Sequence, residues 1–515
     1  AAKKVGKVCS KAERALRCYR AWTNDLPLDE CAVLLEQQNG RTLDGSIYHV
    51  LKELLRKEVY PNLRVRLVVT EDAHDDAVAE LDRRGVRVEM VKRGSKEYYR
   101  ALATSKFLFV DNTLPPCFVK RPGQVLTNTW HGIPLKTLGR KEATSAPFIG
   151  NVQRCLALAD YLLMPNPNME HVMVRDYMLQ GICRACVLPL GYPRNEPFVR
   201  PHHGEQGKRA YAWLPTFRMD AAARRSTPQA IGDLLAELDK ELRDDETLYF
   251  RPHPIVADCF DLSGLTHVRA FPVGVEAYEF LSTCDVLVTD YSSVLFDFPL
   301  GGGKVVLVPF DKDAYERDRG LYQSMDELPF PQATDVVTLL RELRSQKAYD
   351  DVESLRAWWP YPTGGAAHAL CQRVLGDGAP LGGEHVVESP PRPTALIYSE
   401  LSCDLDALRA ELQSLAKTHA VRLAFPKECG QDKGTFLASL PQEVSFTPMQ
   451  ASPALALRER VALAALWRKP GVVAARWVHD ALEFERRRLF GEARFDVVAI
   501  HDGAKCRWLA LMGSM

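Results

Sequence analysis

The stretch VRLVVTEDAHDDAVAELDRRGVRVEMV, residues 65–91, predicts the fold class. Two β-branched runs, 65–70 and 86–91, flank a longer amphipathic segment, and the run KFLFVDN follows at 106–112. The same alternation returns around DVLVTD at 285–290 and KVVLVPF at 304–310. Strands separated by segments of helix length are typical of βαβ units in parallel sheets. The sequence therefore predicts an α/β protein with two doubly wound domains in succession.

Length and composition divide the chain further. Its 515 residues exceed the size at which one hydrophobic core stops growing, which is roughly 250 to 300 residues. We expect a ligand cleft at the carboxyl ends of the strands. The last part of the chain is expected to be a partial α/β unit, such as the first half of a further two-domain transferase. The predicted parts are a basic helical segment (1–27), two Rossmann-like domains (28–195 and 196–375), a Gly- and Pro-rich linker (376–394) and the additional α/β unit (395–515).

Charge narrows the class of partner. Lys and Arg number 66, as do Asp and Glu, so the chain has no overall positive charge to attract nucleic acid. Two segments are locally basic, the first twenty residues and 458–494. Each fits either an anionic membrane surface or a solvated helix face. With no apolar run near the length that spans a bilayer, we expect a cytoplasmic protein, peripheral at the inner face of the cell membrane, with no nucleic-acid partner.

Cysteine spacing gives no metal site. The thirteen cysteines follow no regular framework, which indicates reduced thiols. Cys183 and Cys186 form a C-x-x-C pair, but the second pair of a zinc site is missing from the sequence. We therefore expect no metal.

The segment QVLTNTWHGIPLKTLGR, residues 124–140, supplies a candidate base. His131 follows a strand-like run, and an imidazole can accept a proton from an alcohol at neutral pH. From spacing alone, a structural histidine remains an open alternative.

Two further segments offer groups that can bind phosphate. In CDVLVTDYSSVLFDF, residues 284–298, Ser292 and Ser293 follow a strand and begin a helical pattern. A helix N-terminus favours an anion, although these residues could simply cap the helix. In YFRPHPIVAD, residues 249–258, His253 lies between two prolines and can donate to a leaving phosphate.

Turn-rich segments add two arginines. LPLGYPRNEPF (188–198) and YAWLPTFR (211–218) contain Arg194 and Arg218, and a guanidinium can grip phosphate oxygens through two parallel hydrogen bonds. GGGK at 301–304 lacks the following Ser or Thr and opens a strand, which excludes a nucleoside triphosphate loop.

In this order, and preceded by NGRTLDGSIYHVLKEL (39–54) and VKRGSKEYYRALATSKFLFVDN (91–112), these segments resemble the CDP-glycerol glycerophosphotransferase family over about residues 30–325. The resemblance implies the two-domain GT-B fold and a role in building teichoic acids or capsular polymers. The chain departs from the family motifs at Ile133, Glu196 and Phe217, where Thr, Asp and Trp are usual. These departures bear on substrate detail rather than on reaction class.

The resemblance also implies a division of roles. His131 would take the proton of an acceptor hydroxyl, which attacks the phosphorus next to glycerol and releases CMP. His253 would be the second catalytic histidine, at the donor phosphates. The acceptor side would include Trp130, Gly132 and Lys136, and the donor nucleotide and phosphates would be bound by Arg194, Thr216, Arg218, Asp290, Ser292 and Ser293.

The implied substrates are a CDP-activated alcohol phosphate, of glycerol or a related alcohol, and a lipid-linked or polymeric acceptor. No cofactor is expected. Two alternatives remain at this stage, a GT-B glycosyltransferase that uses a nucleotide sugar and a non-catalytic polymer-binding module.

Overall fold

The computed structural model describes residues 11–142, 144–199, 207–216, 218, 223–345, 352–376, 378–429, 433–450, 455, 458–459, 461–462 and 475–502. Within these ranges the chain forms three sheets of eight, five and four strands. All strand pairs are parallel except the pairing of one short edge strand of the first sheet.

The first domain is built on the eight-stranded sheet, whose order is β13-β7-β6-β5-β4-β1-β2-β3. Its strands are β1 Asp29–Glu36, β2 Arg64–Val69, β3 Glu89–Lys92, β4 Ser105–Val110, β5 Val125–Asn128, β6 Tyr161–Leu163, β7 Cys186–Leu188 and β13 His385–Val386. Its helices are α1 Lys11–Asp25, α2 Ser46–Leu54, α3 His74–Arg83, α4 Lys96–Thr104, α5 Gly150–Ala157, α6 Pro167–Asp176 and α7 Glu196–Val199.

The second domain is built on the five-stranded sheet, in the order β10-β9-β8-β11-β12. Its strands are β8 Arg209–Leu214, β9 Glu246–Phe250, β10 Val268–Ala270, β11 Val286–Thr289 and β12 Lys304–Leu307. Its helices are α8 Ala223–Glu241, α9 Ala277–Leu281, α10 Val294–Asp297, α11 Lys312–Arg319, α12 Val336–Arg344, α13 Val352–Arg356 and α14 Ala366–Leu375.

Central strands of both domains are buried along their length. All four residues of β11 and of β12 are buried, as is most of β4. Such continuous apolar strands are expected where helices cover both faces of a parallel sheet. The last helix of the second domain, α14, returns to the first domain, where His368 Nδ1 lies 2.8 Å from Glu53 Oε1 of α2. Two such domains facing each other form the GT-B arrangement.

The third unit is a four-stranded parallel sheet in the order β16-β15-β14-β17. Its strands are β14 Thr394–Tyr398, β15 Ala420–Pro426, β16 Val444–Met449 and β17 Val497–Ile500, and its helices are α15 Leu405–Leu415, α16 Gly434–Ser439 and α17 Ala475–Phe490. It is docked tightly on the first domain. Arg422 Nη2 donates to the Met178 and Gln180 carbonyls at 2.6 and 3.0 Å, and a Cβ at Gly150 would collide with the Pro448 carbonyl of β16.

The segment predicted as a linker is ordered where the structure describes it. His385 and Val386 form β13 and pair antiparallel with β7. Glu384 binds Arg373 of α14 at 2.7 Å, and His385 Nε2 lies 2.7 Å from Glu170. The described part of the predicted linker therefore contacts the first and second domains before the chain enters the third unit.

Several described arginines of the two locally basic segments form ion pairs with acidic side chains. In α17, Arg486 and Arg487 bind Glu483, and the buried Arg488 binds Glu485. In α1, Arg20 binds Glu459 at 2.5 Å. These pairs favour a packing role for the described part of residues 458–494, while Lys3, Lys4 and Lys7 lie outside the described residues. Among the helices that the structure describes, none has both the length and the apolar content that crossing a membrane requires.

Candidate active site

A cleft of about 1100 Å³ lies between the first two domains. Residues after β4, β5, β8, β9 and β11 line it, so it lies at the carboxyl ends of the strands, as predicted. The structure brings ten of the eleven predicted site residues to its lining, namely Trp130, His131, Gly132, Lys136, Arg194, Thr216, Arg218, His253, Ser292 and Ser293. Asp290 is buried behind the wall.

His131 is held in one tautomer. Its Nδ1 lies 2.8 Å from the backbone carbonyl of Asp111, which can only accept a hydrogen bond. Nδ1 therefore carries the proton and Nε2 keeps its lone pair. Burial lowers the pKa of His131 below its ordinary value; the Asp111 carbonyl opposes this shift and Arg194 adds to it. The neutral imidazole can thus accept a proton at neutral pH.

The backbone around His131 is unusual. Trp130 has a φ of +54°, in the left-handed region that non-glycine residues rarely occupy. Its indole stacks on the His131 ring with centroids 4.4 Å apart and an interplanar angle of 26°. Asn128 Oδ1 accepts a hydrogen bond from the Trp130 N–H at 2.8 Å. This turn aims the imidazole out of the end of β5.

Gly132 brings the two domains into contact. A Cβ at this position would lie 2.9 Å from Ser293 Cβ and would collide with its hydroxyl. The loop after β5 in the first domain therefore touches the loop after β11 in the second. The candidate base and the candidate phosphate-binding serines share one site.

Ser292 and Ser293 keep their hydroxyls available. Ser293 is the N-cap of α10, but its side chain makes no capping hydrogen bond. Among the described contacts, neither hydroxyl has a protein partner. The helix itself is short, since α10 has four residues and continues as a 3₁₀ turn, Phe298–Gly301. The helix dipole invoked from the sequence is accordingly weak, and the hydroxyls and N–H groups are the principal donors.

His253 also has an assignable tautomer. It precedes the 3₁₀ helix Pro254–Cys259, and its Nδ1 accepts a hydrogen bond from the Ile255 N–H at 3.3 Å. A neutral ring then carries its proton on Nε2. Burial lowers the pKa of His253, and the neighbouring Lys136 lowers it further. His253 can therefore act as a neutral N–H donor at the cleft.

Arg194 supports His131 instead of facing solvent. Its Nη1 donates to the His131 carbonyl at 2.6 Å and its Nη2 to Asp297 Oδ2 at 2.6 Å. Asp297 is fully buried and also binds Asn195 and the Tyr278 hydroxyl, each at 2.9 Å. The Arg194 guanidinium, predicted to bind phosphate, thus binds a carboxylate of the protein. Its second contact positions the backbone of the candidate base.

Arg218 likewise binds carboxylates of the protein. Its Nε and Nη2 bind the two oxygens of Asp311 at 2.7 and 2.9 Å, and its Nη1 binds Asp290 at 2.9 Å. Asp290 Oδ1 in turn accepts a hydrogen bond from the Thr216 N–H at 2.8 Å. The bidentate edge of Arg218 is therefore occupied by protein. The Thr216 hydroxyl has no partner among the described residues and remains available to a ligand.

Comparison with known proteins agrees with this geometry. The sequence pattern of the CDP-Glycerol:Poly(glycerophosphate) glycerophosphotransferase family matches residues 19–376, well over half of the chain. The chain belongs to this family.

The curated relatives of this chain carry the names of teichoic acid polymerases and transferases. A teichoic acid poly(glycerol phosphate) polymerase of Staphylococcus epidermidis is 30% identical over 287 residues, which cover 50% of this chain and 39% of that protein. A teichoic acid glycerol-phosphate transferase of Staphylococcus aureus is 26% identical, with 56% of this chain and 80% of that protein covered. The chain thus spans well under half of the first relative's length.

Solved structures show the same fold. The wall teichoic acid polymerase TagF superposes with a TM-score of 0.59 at 24% identity, over 71% of this chain and 94% of that chain. This likeness confirms the GT-B arrangement of the two domains.

Two of the three departures from the glycerophosphotransferase motifs fall on described residues, Ile133 in the lining of the cleft and Glu196 outside it. Ile133 is buried beside His131. Glu196 Oε1 accepts a hydrogen bond from the Ala367 N–H at 2.6 Å, so it caps α14. Phe217 lies outside the described residues.

Asp111 is a site residue to which the sequence analysis gave no role. It follows β4 in KFLFVDN, lines the cleft and is 3% exposed. Its carboxylate accepts a hydrogen bond from the Gln38 N–H at 2.7 Å, and burial raises its pKa to about 7. A carboxyl group with a perturbed pKa beside the candidate base is a candidate functional group. The sequence indication of such a role is an acidic residue placed directly after the strand-like run KFLFV.

Lys136 was predicted on the acceptor side, but its ammonium lies against the second domain. Its Nζ is 5.8 Å from the centroid of the Tyr315 ring, which belongs to α11. The loop after β5 therefore places the His131 imidazole at the end of its own strand and the Lys136 ammonium beside the second domain.

Cys183 and Cys186 are free thiols, and burial raises the pKa of each to about 11. In the described part of the chain, no group of three or more His, Cys, Asp or Glu side chains is placed to hold a metal ion. The expectation of a reaction without a metal stays a prediction.

Proposed function

We propose that the chain transfers glycerol phosphate, or a related alcohol phosphate, from a CDP-activated donor to a hydroxyl of a teichoic-acid-like or capsular polymer and releases CMP. One observation carries this proposal. The neutral His131 imidazole and the unpartnered Ser292 and Ser293 hydroxyls come from different domains and meet at the Gly132 contact in a single cleft.

The geometry supports a direct displacement at phosphorus. The acceptor hydroxyl gives its proton to His131 Nε2 as its oxygen attacks the phosphorus next to glycerol. The bond from that phosphorus to the bridging oxygen breaks, and CMP leaves with the bridging oxygen. His253 Nε2–H and the two serine hydroxyls donate to the phosphate oxygens as charge builds up. Phosphoryl transfer depends mainly on such positioning and charge stabilisation.

The acceptor and the site of action belong to the same proposal. Relatives carry the names of teichoic acid polymerases, transferases and primases, and others carry ribitol-phosphate names. We infer a lipid-linked or polymeric acceptor and a peripheral position at the inner face of the cell membrane.

A nucleotide-release assay tests the reaction. The purified chain is incubated with CDP-glycerol, CDP-ribitol or a UDP-sugar, each with a polymer acceptor, and the released nucleotide is measured. The proposal predicts CMP from at least one CDP-alcohol and no UDP. Release of UDP would identify the nucleotide-sugar glycosyltransferase instead, and release of neither nucleotide would contradict both enzyme classes.

A further inference from the structure

Most of the positive charge in the cleft is neutralised by the protein itself. Four arginines line the cleft, and each forms an ion pair with at least one carboxylate. The pairs are Arg194 with Asp297, Arg218 with Asp290 and Asp311, Arg251 with Asp44, and Arg319 with Glu142. These side chains give the cleft its shape but little net positive charge for an anionic ligand.

Lys136 differs from these arginines. Among the described residues, its ammonium has neither a hydrogen bond nor an ion pair, and the half-buried side chain lies in the cleft wall with Nζ 5.8 Å from the centroid of the Tyr315 ring. Removing an ammonium from water costs free energy, and a carboxylate or a bound anion beside it offsets that cost. The groups that face it are Asp290, Glu142, Arg218, Arg319, His253 and Tyr315.

A backbone contact between the domains fixes Lys136 in this place. The Tyr322 N–H donates to the Leu135 carbonyl at 2.8 Å, and the Thr137 N–H donates to the Gly320 carbonyl at 3.1 Å. Lys136 and Leu321 therefore form an antiparallel bridge across the domain boundary. Gly320 has a φ of +74°, and a Cβ there would lie 2.8 Å from Thr137 Oγ1, so the approach requires glycine.

We propose that Lys136, carried on the acceptor domain, binds the diphosphate of the donor across the domain boundary. The assignment rests on the proposed function. A diphosphate ester carries two negative charges, and a lysine ammonium is a compact, mobile charge suited to phosphate oxygens. Ser292, Ser293 and His253 line the same cleft and supply neutral donors. Lys136 supplies the positive charge that the paired arginines do not.

Because Lys136 loses its charge within an accessible pH range, the assignment predicts a measurable pH dependence of diphosphate binding. Burial lowers the pKa of Lys136; Asp290 and Glu142 oppose the shift, Arg319 and Arg218 add to it, and the result is about 8. A bound phosphate would raise the pKa again. The affinity for a diphosphate should therefore be constant below pH 8 and fall as the pH rises above it, by up to about tenfold per pH unit.

The test is calorimetric titration of the full chain with CDP between pH 7.5 and 9.5, a range in which the phosphates do not titrate. Lys136→Gln should weaken CDP binding by about 10- to 100-fold at pH 7.5 and abolish its pH dependence. Lys136→Arg should keep most of the affinity and lose the pH dependence, because guanidinium stays charged. Lys141→Gln is the matched control, since Lys141 is exposed outside the cleft. It should bind CDP as the wild type does.

Two results would overturn the assignment. The first is a Lys136→Gln variant that is folded, as judged by its thermal unfolding, and binds CDP as tightly as the wild type. The second is an affinity for CDP that changes with pH in the same way in the wild type and in Lys136→Arg. Failure of the proposed function alone would give a different result. CDP would bind and the Lys136 substitutions would change its affinity as predicted, but no CMP would be released from the CDP-alcohols. A wild-type chain that does not bind CDP contradicts both.

Discussion

At the residue scale, the proposed role of His131 as a base makes the activity depend on the protonation state of its imidazole. Its pKa is lowered by burial, so the neutral ring persists at pH 7 and is lost only as the pH falls below the ordinary value of 6.5. We expect kcat/KM for CMP release to decrease about tenfold per pH unit below that point. Asp111→Asn is the control, and it should keep this acid limb. An acid limb that starts above pH 7.5 and persists in Asp111→Asn would contradict the assignment.

Asp111 gives a second pH prediction, on stability. Its pKa is about 7 in the fold against an ordinary 3.8, because burial disfavours the carboxylate. A raised pKa stabilises the fold at low pH, and this contribution is lost as the pH rises through about 7. Asn mimics the protonated acid and can still accept the Gln38 N–H. Asp111→Asn should match the wild type near pH 4.

Above pH 8 the same variant should be more stable than the wild type, by up to about 4 kcal/mol. The free energy of unfolding in urea at both pH values measures this difference. An equal effect of the substitution at pH 4 and pH 8 would show that Asp111 does not titrate as described.

At the element scale, the contact between the loops after β5 and β11 depends on Gly132. Its φ is +149°, and a Cβ would collide with Ser293. Gly132→Ala should reduce CMP release at least about tenfold, because the loops must separate to admit the methyl group. Gly94→Ala is the matched control. Gly94 has a φ of +80° with nothing within 4 Å of a Cβ, so only the backbone cost of about 1 to 2 kcal/mol applies.

If both glycine variants lower activity equally, backbone strain explains the loss and the interdomain contact does not matter. Activity and thermal unfolding are measured together, since Gly94→Ala should lower the unfolding temperature without slowing release by folded protein.

The strands of the catalytic domains follow from local sequence. VRLVVT at 65–70 predicts β2, KFLFVDN predicts β4 and DVLVTD predicts β11, with strand ends that differ by one or two residues. These runs are apolar and β-branched, which is the pattern of a strand buried on both faces. VRVEMV at 86–91 is less clear, and β3 spans only Glu89–Lys92.

The side-chain partners could not be predicted in the same way. Arg218 and Arg194 have the chemistry of phosphate ligands, but Asp311 and Asp297 reach them from 93 and 103 positions away in the chain. Lys136 is adjacent to the acceptor-side motif in sequence, yet the bridge to Leu321 turns it toward the other domain. Only the tertiary fold decides which charged groups remain available to a ligand.

At the scale of the whole molecule, the third unit is a fixed part of the first domain. Its buried residues Leu423 and Phe446 belong to the same contiguous core as Leu108 and Leu126 of that domain. Arg422 is buried, the described residues provide it with no carboxylate partner, and burial lowers its pKa to about 9. It donates instead to the Met178 and Gln180 carbonyls of the first domain.

Arg422→Met should therefore leave buried carbonyls unpaired and destabilise the chain by about 1 to 3 kcal/mol. CDP affinity should be unchanged, because the substitution lies away from the cleft lining. Arg409→Ala is the control; its guanidinium binds Asp406 and Ser439 at the surface of the same unit. That variant should stay within about 0.5 kcal/mol of the wild type. Destabilisation no larger than that of the control would show that the docking of the third unit does not depend on Arg422.

The central claim is that His131 acts as a base and not as a binding or structural residue. The most direct measurement compares His131→Asn with the wild type for both CDP-glycerol affinity and the rate of CMP release at saturating donor. Asn can still donate to the Asp111 carbonyl but cannot take up a proton. The account predicts affinity within about threefold of the wild type and release slowed by about 100-fold or more. Release at the wild-type rate, or a loss of affinity that accounts for the slower release, would contradict it.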